Sequence, residues 1–414
     1  LVGSEMCIRD RDMKEPSKYI NTYCTGCGLC HSVQGTELKM IEGGFPNVDV
    51  KKGESLEFYH SVCPVFYYKG EQKHDIWGNI EKALIGYSSN KKIRFKAASG
   101  GALTEICCYL LENKKVDAII HTTYDPDDQT KTISCVSTTV EEVISRCGSR
   151  YGISVPLKDI LQIVQSDKKY AFVGKPCDVM ALRRYLNKNE KLTKNIIYLL
   201  SFFCAGEPSV NAQDELLKKM GTSRQGCDTL VYRGNGWPGF TTVNTKDGRE
   251  LKMEYKVAWG QYLGRDIRYI CRFCMDGTGE LADIVCADFW QLDNNNHPDF
   301  SEHEGRNIII ARNEIGKQLL DATVKSGRIN IEEDFTTKID SEFYLYQPAQ
   351  LKRKGTMKTT ITAMKLCGRD TPKYSKSFLN KYASHVDLKV KFDFFIGIIK
   401  RVIKGRLQRC TKGT

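Results

Sequence analysis

Residues 24–30 read CTGCGLC, and this short stretch sets the fold of the first part of the chain. Its cysteines follow a C-x2-C-x2-C pattern, and a fourth cysteine stands directly before Pro64. Gly26 and Gly28 let the backbone fold tightly, so that its amides can point at bound sulfur. Three thiolates at this spacing surround one face of a 4Fe–4S cluster, and the fourth thiolate completes it. The predicted ligands are Cys24, Cys27, Cys30 and Cys63.

Zinc is the alternative occupant, because a set of four cysteine thiolates also suits Zn²⁺. Zinc ribbons usually present paired C-x2-C knuckles, whereas three cysteines with a remote Cys-Pro are typical of bacterial ferredoxins. We therefore favour the cluster over zinc. Residues 31–62 hold polar turns between brief apolar segments. We predict that residues 12–75 form a small ferredoxin-like module whose fold is organised by its metal.

The length and the cysteine content narrow the class of protein. The 414 residues, 41% of them hydrophobic, suit two or three domains with a substantial core. The 17 cysteines come without a secretory signal or a membrane-spanning apolar run. They predict metal or redox chemistry in the reducing cytoplasm instead of a disulfide scaffold. Residues 1–11 read LVGSEMCIRDR, which resembles translated sequencing adapter; we predict a non-native artefact and leave Cys7 aside.

The net charge of +12 raises the question of nucleic acid or an anionic membrane as a partner. Part of the basic excess lies near the end of the chain, and the other lysines are scattered. The sequence has no zinc-finger or RNA-binding signature, so we predict no nucleic-acid binding. A basic face would also suit the docking of an acidic electron-donor protein.

Residues 76–345 alternate predicted strands and helices, which predicts an α+β (mixed α/β) domain after the small iron–sulfur module. Within it, Ser99, Gly100 and Gly101 form a turn that opens a helix over residues 102–111. The free amides and the dipole of such a helix start can receive an anion. From the local sequence alone, an ordinary helix cap with flexible glycines is the favoured explanation.

Two further polar groups are candidate contacts of a cofactor. Ser149, Arg150 and Tyr151 combine a hydroxyl, a cation and an aromatic ring in one loop, which would suit a phosphorylated flavin. An ordinary polar loop explains them equally well. Asp283 and Asp288 flank a buried strand and are candidates for binding a substrate or a cofactor hydroxyl. Strand-end caps are the slightly favoured alternative for both carboxylates.

Four more cysteines are candidate ligands of a second cluster. Two of them follow predicted strands over residues 170–174 and 196–203, and the other two form a C-x2-C pair. Cysteines at the carboxyl ends of two strands converge on one edge of a sheet, where α/β proteins bind ligands. Taken singly, each cysteine is more often a small buried hydrophobe. The four candidates are Cys177, Cys204, Cys271 and Cys274.

Residues 234–239 match the G-x-G-x-x-G pattern of dinucleotide-binding proteins. That fingerprint has to open a helix. Here Trp237 and Pro238 interrupt the motif, and the following residues 240–244 are typical of a strand. We therefore reject a nicotinamide site at this position.

The central segments resemble, in order, those of the β subunit of coenzyme F-420 hydrogenase/dehydrogenase, and the resemblance covers residues 20–345. They are Ser99-Gly100-Gly101, Gly148-Ser149-Arg150-Tyr151, Gly174-Lys175-Pro176-Cys177, Cys204-Ala205-Gly206, Cys271-Arg272-Phe273-Cys274 and the stretch 282–290. A similar core is used by chlorophyll-cycle hydroxymethyl reductases and by formate dehydrogenase β subunits. The resemblance implies FAD, a cluster inside the flavin domain and a ferredoxin-like N-terminal extension.

The resemblance also implies roles for the candidate residues. The second 4Fe–4S cluster would be held by Cys177, Cys204, Cys271 and Cys274. The FAD contacts would be Ser99, Gly100, Gly101, Ser149, Arg150, Tyr151, Asp283 and Asp288. This chain departs from the family pattern at Arg150 (usually Lys), Lys175 (commonly Thr) and Ala287 (usually Gly). These departures bear on the specificity for coenzyme F-420, a deazaflavin, more than on the binding of the flavin itself.

The implied function is an iron–sulfur flavoprotein oxidoreductase. Electrons would pass between a ferredoxin-like donor at the first module, the two clusters and FAD, and then an organic substrate. The resemblance leaves two substrates open: the deazaflavin coenzyme, and an organic compound linked to polysaccharide biosynthesis. The alternative is an electron-transfer (β) subunit that has no substrate of its own and docks to a partner enzyme.

Residues 346–414 form a basic C-terminal extension. Its first part, residues 347–354, is predicted to be a basic connector. Residues 390–407 predict an amphipathic helix with a cationic face, a pattern that can lie on an anionic membrane. Docking of this helix on the body of the protein or on a partner is the favoured alternative.

Overall fold

The first part of the chain packs short helices around a β-hairpin. We describe residues 16–66 and 76–403 from a computed structural model, so the predicted artefact at residues 1–11 lies outside the described residues. The elements of this first part are α1 (Pro16–Tyr23), α2 (Leu29–Gln34), β1 (Leu38–Ile41), β2 (Phe45–Val48), α3 (Glu57–Val62) and the 3₁₀ turn Pro64–Phe66. Strands β1 and β2 are antiparallel, with Leu38 opposite Val48.

The central sheet of the described chain has eight strands and mixes parallel with antiparallel pairs. From one edge to the other they are β13 (Ile329–Asp334), β3 (Lys82–Ser88), β12 (Asn307–Ala311), β11 (Ile284–Asp288), β7 (Ile196–Phe202), β6 (Tyr170–Gly174), β4 (Ala118–Tyr124) and β5 (Thr132–Ser137). The four strands β11, β7, β6 and β4 are parallel, and the outer pairs are antiparallel. This mixed sheet with its helices confirms the predicted mixed α/β class.

Apolar side chains alternate between the two faces of the sheet, which is why both faces are covered. On β12, Ile309 and Ala311 pack against helices on one face, whereas Ile308 and Ile310 pack against the C-terminal helices on the other. The helices of the central part are α4 (Lys91–Lys96), α5 (Ala102–Glu112), α6 (Val140–Ser145), α7 (Ile160–Ile163), α8 (Pro176–Leu186), α9 (Glu190–Thr193), α10 (Val210–Met220), α11 (Tyr255–Val257) and α12 (Glu314–Lys325).

A second, antiparallel sheet precedes the C-x2-C pair. Its strands are β8 (Cys227–Val231), β9 (Phe240–Thr245) and β10 (Glu250–Glu254), with β9 in the middle. The chain then passes through a π-helical turn, Ala258–Tyr262, and the 3₁₀ turns Leu263–Arg265 and Tyr269–Phe273. The loop 234–239 between β8 and β9 does not open a helix, in keeping with the rejection of a dinucleotide fingerprint there.

Helices dominate the last part of the described chain and pack on the central sheet. They are α13 (Ile339–Tyr346), α14 (Pro348–Gly355), α15 (Met357–Leu366), α16 (Lys376–Ala383) and α17 (Leu388–Ile403). The prediction of a connector at residues 347–354 was wrong, because all of these positions except Gln347 belong to α14. Its Lys354 is buried and pairs with the buried Glu280, at 2.6 Å between Nζ and Oε1. A cation held in this way belongs to the core of the protein.

One face of α17 docks on the body, as the favoured alternative for the amphipathic helix predicts. Ile398 is buried in the core, and Phe395 and Val402 pack against it. Leu388 and Phe392 remain exposed, with 81% and 65% of their surface accessible. Among residues 16–66 and 76–403, none of the helices combines the length and the apolar composition of a membrane-spanning segment.

Candidate functional site

The first set of cysteines lies where α1, α2 and α3 meet. Cys24 and Cys27 lie in the turn from α1 into α2, Cys30 is the second residue of α2, and Cys63 follows the last residue of α3. The turn needs glycine, because Gly26 and Gly28 have φ angles of 74° and 88°, in the left-handed region. The amide of Gly26 donates a hydrogen bond to Cys24 Sγ at 3.3 Å. All four cysteines are free thiols.

The thiols of this first set influence one another electrostatically. Burial, the Asp178 carboxylate and Cys24 together raise the pKa of Cys27 to about 12. Burial also raises the pKa of Cys30, as do Cys27, Cys24 and Cys63. Thiolates that lie this close together repel one another, so a bound cation favours their joint presence. The set is therefore suited to a metal or a metal cluster.

The second set of cysteines gathers at the carboxyl edge of the central sheet. Gly174 at the end of β6 lies opposite Ser201 near the end of the parallel strand β7. Cys177 and Cys204 follow these two strands and therefore leave the sheet at the same edge, where they interact electrostatically with Cys271 of the 3₁₀ turn Tyr269–Phe273 and with Cys274, which directly follows the turn. Burial, together with the charges of Cys271 and Cys274, raises the pKa of Cys204 to about 12.

The C-terminal extension holds the loop that carries Cys204 in place through hydrogen bonds. Arg353 of α14 donates hydrogen bonds to the carbonyl oxygens of Cys204 at 3.0 Å and Ala205 at 2.6 Å. Gly277 accepts a bond of 2.9 Å from the amide of Cys204. Burial raises the pKa of Cys274 to about 11, although the Arg353 guanidinium acts to lower it. The extension thus supplies a cation next to the second set of cysteines.

A row of buried charges lies between the two sets of cysteines. Arg268 Nε donates to Glu207 Oε2 at 2.6 Å, and Lys175 Nζ lies 3.4 Å from Glu207 Oε1. Lys175 Nζ also lies 3.1 Å from Asp178 Oδ2 and 3.0 Å from Ser154 Oγ. Burial alone would raise the pKa of Glu207, but Arg268 and Lys175 lower it below its usual range. Cations and anions therefore alternate along the row, so that each buried charge lies beside a charge of opposite sign.

The turn at Ser99, Gly100 and Gly101 is held against the end of β12. Ser99 Oγ donates to the carbonyl oxygen of Arg306 at 2.8 Å, and a Cβ on Gly100 would clash with Asn307. Asn307 Oδ1 accepts a bond of 3.1 Å from the amide of Ala102, the first residue of α5. Gly101 has a left-handed φ of 82° before the helix begins. The turn is thus tight, and one of the helix amides already has a protein partner.

The loop with Ser149, Arg150 and Tyr151 is fixed mainly through its arginine. Arg150 Nη1 donates to the Leu230 carbonyl oxygen at 2.9 Å, and its Nη2 donates to the carbonyl oxygens of Gln129 and Lys131. Burial lowers the pKa of Arg150 below the usual arginine value. Its guanidinium thus holds the loop in place, which leaves Ser149 and Tyr151 as the groups that can face a ligand.

Asp288 lies at the end of β11, next to an arginine that sequence reasoning missed. Arg233 Nη1 donates to Asp288 Oδ2 at 2.8 Å, and among the described residues its buried Nη2 has no hydrogen-bond partner. The guanidinium lies 4.4 Å from the Tyr255 ring centroid and 5.2 Å from that of Trp290. The aromatic ring of Tyr151 lies within 6.5 Å of Tyr255. A buried donor among aromatic rings is an arrangement that can hold a planar, polar ligand.

Loop 234–239, whose glycine pattern we rejected as a dinucleotide fingerprint, packs over this region. The amide of Gly236 donates to the Phe95 carbonyl oxygen at 3.0 Å, and Gly234 is in contact with Lys96. A Cβ on Gly148 would lie 3.4 Å from the carbonyl oxygen of Arg233. The glycines therefore bring three loops together. The sequence offered two signals of this region, the glycines of loop 234–239 and the tryptophans Trp237 and Trp290. The rings of these tryptophans stack, with their centroids 4.7 Å apart.

Asp283 lies at the other end of β11, about 16 Å from Asp288 along the extended strand. Its buried carboxylate accepts hydrogen bonds from Arg183 Nη2 at 2.5 Å and from the Leu199 amide at 2.7 Å. Asn313 Nδ2 donates to it at 2.7 Å. All these partners are protein groups, and the carboxylate is fully buried. Asp283 therefore joins strands and helices of the core, and we leave it out of the proposed cofactor site.

The comparison with protein families covers most of the central domain. Residues 167–335 match the family model for the C terminus of the coenzyme F420 hydrogenase/dehydrogenase β subunit. Residues 83–162 match the model for the N-terminal part of the same protein. The two matches include the turn before α5, the loop before β6, the four cysteines of the second set and β11.

Individual proteins with similar sequences indicate the same family. The chain is 24% identical to coenzyme F420 hydrogenase subunit beta of Methanococcus voltae, over 72% of this chain and 99% of that protein. It is 25% identical to 7-hydroxymethyl chlorophyll a reductase of Oryza sativa, over 77% of this chain and 66% of that protein. For coenzyme F420-dependent sulfite reductase of Methanocaldococcus jannaschii the identity is 25%, over 75% of this chain and 47% of that protein. The chain thus matches less than two thirds of two of these relatives.

A solved structure shows the same fold. It is a chain of the F420-reducing [NiFe] hydrogenase complex from Methanosarcina barkeri, with a TM-score of 0.54 and 18% identity. The match covers 71% of this chain and 95% of that chain. The related proteins are oxidoreductases or subunits of oxidoreductases by name. With its two matched segments and this shared fold, the chain belongs to the coenzyme F420 hydrogenase/dehydrogenase β-subunit family.

Proposed function

We propose that this protein is an oxidoreductase that carries two 4Fe–4S clusters and one FAD. In this proposal each set of four cysteines holds one cluster, and FAD lies between the turn before α5, the loop at Ser149 and the end of β11. A cluster transfers single electrons, and a flavin accepts one or two and can deliver a hydride. Together they would link a ferredoxin-like one-electron carrier with an organic two-electron substrate.

The observation that carries the proposal is the grouping of eight free cysteines into two sets of four. The chain brings each set together from distant positions, since Cys63 joins Cys24, and Cys177 joins Cys271. Within the described part of the chain, no three His, Cys, Asp or Glu side chains are arranged to hold a single metal ion. A zinc ion binds sulfur at about 2.3 Å and would need its four thiols in contact. What favours iron over zinc is the sequence spacing, a C-x2-C-x2-C run with a remote Cys-Pro, which is typical of bacterial ferredoxins.

The flavin part of the proposal rests on the region around Arg233. The unpartnered Nη2 of Arg233 and the unpartnered Nε1 of Trp237 are buried donors within the described structure. Buried donors without partners are rare in folded proteins, and a polar ligand would satisfy them. The rings of Tyr255 and Trp290 provide flat apolar surface beside them. Arg233 would donate a hydrogen bond to the flavin, and Asp288 would hold the arginine in place. The aromatic rings would exclude water from the flavin site.

An electron-transfer subunit remains the second candidate function. The structural match covers 95% of a chain that comes from a hydrogenase complex. By analogy with that complex, this chain would dock to a partner enzyme and pass electrons to or from it. The two proposals differ in what exchanges electrons with the chain. An enzyme would act on the deazaflavin coenzyme or on an organic compound linked to polysaccharide biosynthesis, whereas a subunit would exchange electrons with a protein partner. The cytoplasm, with its reduced thiols and ferredoxins, suits both proposals.

Reduced ferredoxin should bleach the visible absorption of the isolated chain under anaerobic conditions, in both the iron–sulfur and the flavin bands. In this proposal Cys24, Cys27, Cys30 and Cys63 would hold the cluster that accepts single electrons from the donor, and the flavin would receive them afterwards. The measurement is a stepwise titration followed by absorbance, with sodium dithionite as the control that reduces all centres directly. A chain that dithionite reduces and ferredoxin does not would contradict the proposed donor.

The same preparation distinguishes an enzyme from a subunit. If the isolated chain consumes an organic substrate with ferredoxin as the only electron source, the enzyme proposal stands. If it reduces artificial dyes alone, the subunit proposal gains support.

We retain contact between the exposed residues of α17 and an anionic membrane as a prediction. Flotation of the chain with anionic liposomes tests it, and a chain that does not float refutes it.

A further inference from the structure

Arg268 is buried between the two sets of cysteines, with only 2% of its surface accessible. Its charge is balanced by Glu207, whose Oε2 accepts a hydrogen bond of 2.6 Å from Arg268 Nε. Both side chains of this pair are 3% exposed. Burial strengthens the field of each charge, because little water is present to screen it. The pair can therefore act on any redox group close to it.

On one side, Arg268 reaches into the first module. Its Nη1 donates to Asn47 Oδ1 at 2.5 Å and to the Pro46 carbonyl oxygen at 3.3 Å, and it lies 3.5 Å from the Cys24 carbonyl oxygen. A Cβ added to Gly26 would collide with the guanidinium, so Nη2 lies beside the turn that carries the first cysteines. In the described structure this Nη2 has no hydrogen-bond partner.

On the other side, Arg268 adjoins the second set of cysteines. Its carbonyl oxygen accepts a hydrogen bond of 2.9 Å from the amide of Cys271. The guanidinium is stabilised by Glu207 and also interacts electrostatically with the side chains of Cys24 and Cys271. Its guanidinium is thus a permanent cation whose charge acts on one proposed ligand from each set, since arginine does not deprotonate in proteins.

We propose that Arg268 is a positioning residue that joins the two cluster sites and raises their reduction potentials. The inference rests on the proposed function, because it requires that clusters occupy both sets of cysteines. Reduction adds a negative charge to a cluster, and a buried cation nearby favours that reduced state. Glu207 opposes the effect, so the balance of the pair sets the potentials. The unpartnered Nη2 is available to donate to a sulfur of the first cluster.

Replacing Arg268 with glutamine should lower the midpoint potential of the first cluster. We expect the reduction equilibrium to change by a factor of about ten, which corresponds to about 59 mV for a one-electron couple. Replacing Glu207 with glutamine should shift the potential in the opposite direction, because the cation is then uncompensated. Arg268→Lys keeps the charge and should recover most of the wild-type potential. The measurement is an anaerobic redox titration of the purified holoprotein, followed by electron paramagnetic resonance of the reduced clusters.

Arg328→Gln is the matched control, since it removes another arginine from an ion pair with a buried partner, Glu105. Neither residue adjoins the two sets of cysteines, so the potentials should stay at their wild-type values. Iron and sulfide contents are measured in every variant. Opposite shifts in the Arg268 and Glu207 variants at full cluster content support the inference. Full content with unchanged potentials, or shifts of the same sign, would overturn it and leave the proposed function intact. Wild-type protein without clusters would overturn both.

Discussion

Replacing Cys27 and Cys30 together with alanine should lower the iron content from about eight to about four atoms per chain, because one of two 4Fe–4S sites is removed. The variant should keep its flavin and the cluster of the second set. Its flavin should no longer be reduced by ferredoxin at the wild-type rate, since the entry point for electrons is gone. Iron and sulfide analysis and anaerobic stopped-flow absorbance measure the two effects.

The reciprocal variant Cys271→Ala with Cys274→Ala should also lose about four iron atoms, now from the other site. A double replacement of Cys135 and Cys367 serves as the matched control, because both are free cysteines outside the two sets. The control should keep its full iron content. If the Cys27 and Cys30 replacements left the iron content unchanged, the first set would not hold a cluster.

Replacing Asp288 with asparagine should weaken FAD binding at least about tenfold, which corresponds to about 1.4 kcal/mol of binding free energy. Arg233 would lose the carboxylate that holds it 2.8 Å away and with it the orientation of its free Nη2. The measurement is the FAD dissociation constant, obtained by reconstituting flavin-depleted protein. Circular dichroism confirms that equal fractions of the proteins are folded.

Asp283→Asn is the matched control, because Asp283 flanks the same strand at its other end. Removing its charge should leave the FAD dissociation constant unchanged and lower the free energy of unfolding by about 3 kcal/mol, since the Arg183 ion pair is broken. Equal losses of flavin in the two variants would show that the effect of Asp288→Asn comes from the fold and would remove Asp288 from the site.

The sequence was most informative where a local pattern implies its own geometry. The C-x2-C-x2-C run needs glycines in left-handed conformations, and Gly26 and Gly28 have them. Cys177 and Cys204 each follow a buried apolar strand, so their meeting at one sheet edge follows from parallel pairing. These features depend on spacing and on strand direction, both of which can be predicted from the chain.

Other features depend on tertiary contacts that no local pattern encodes. Asp283 and Asp288 have similar neighbours in sequence, yet one is fully enclosed by protein donors and the other faces Arg233. The burial of Arg268 and Glu207 requires the first module to pack on the sheet domain. The residues around Lys354 look like a solvated basic segment, and only the position of Glu280 explains why this lysine is buried.

Anaerobic purification of the full chain, with iron, acid-labile sulfide and flavin measured in the same sample, tests the central claim most directly. We predict about eight iron atoms, about eight sulfides and one FAD per chain, with the broad brown absorption of iron–sulfur clusters. A colourless protein that contains zinc, or one that lacks both sulfide and flavin, would contradict the account.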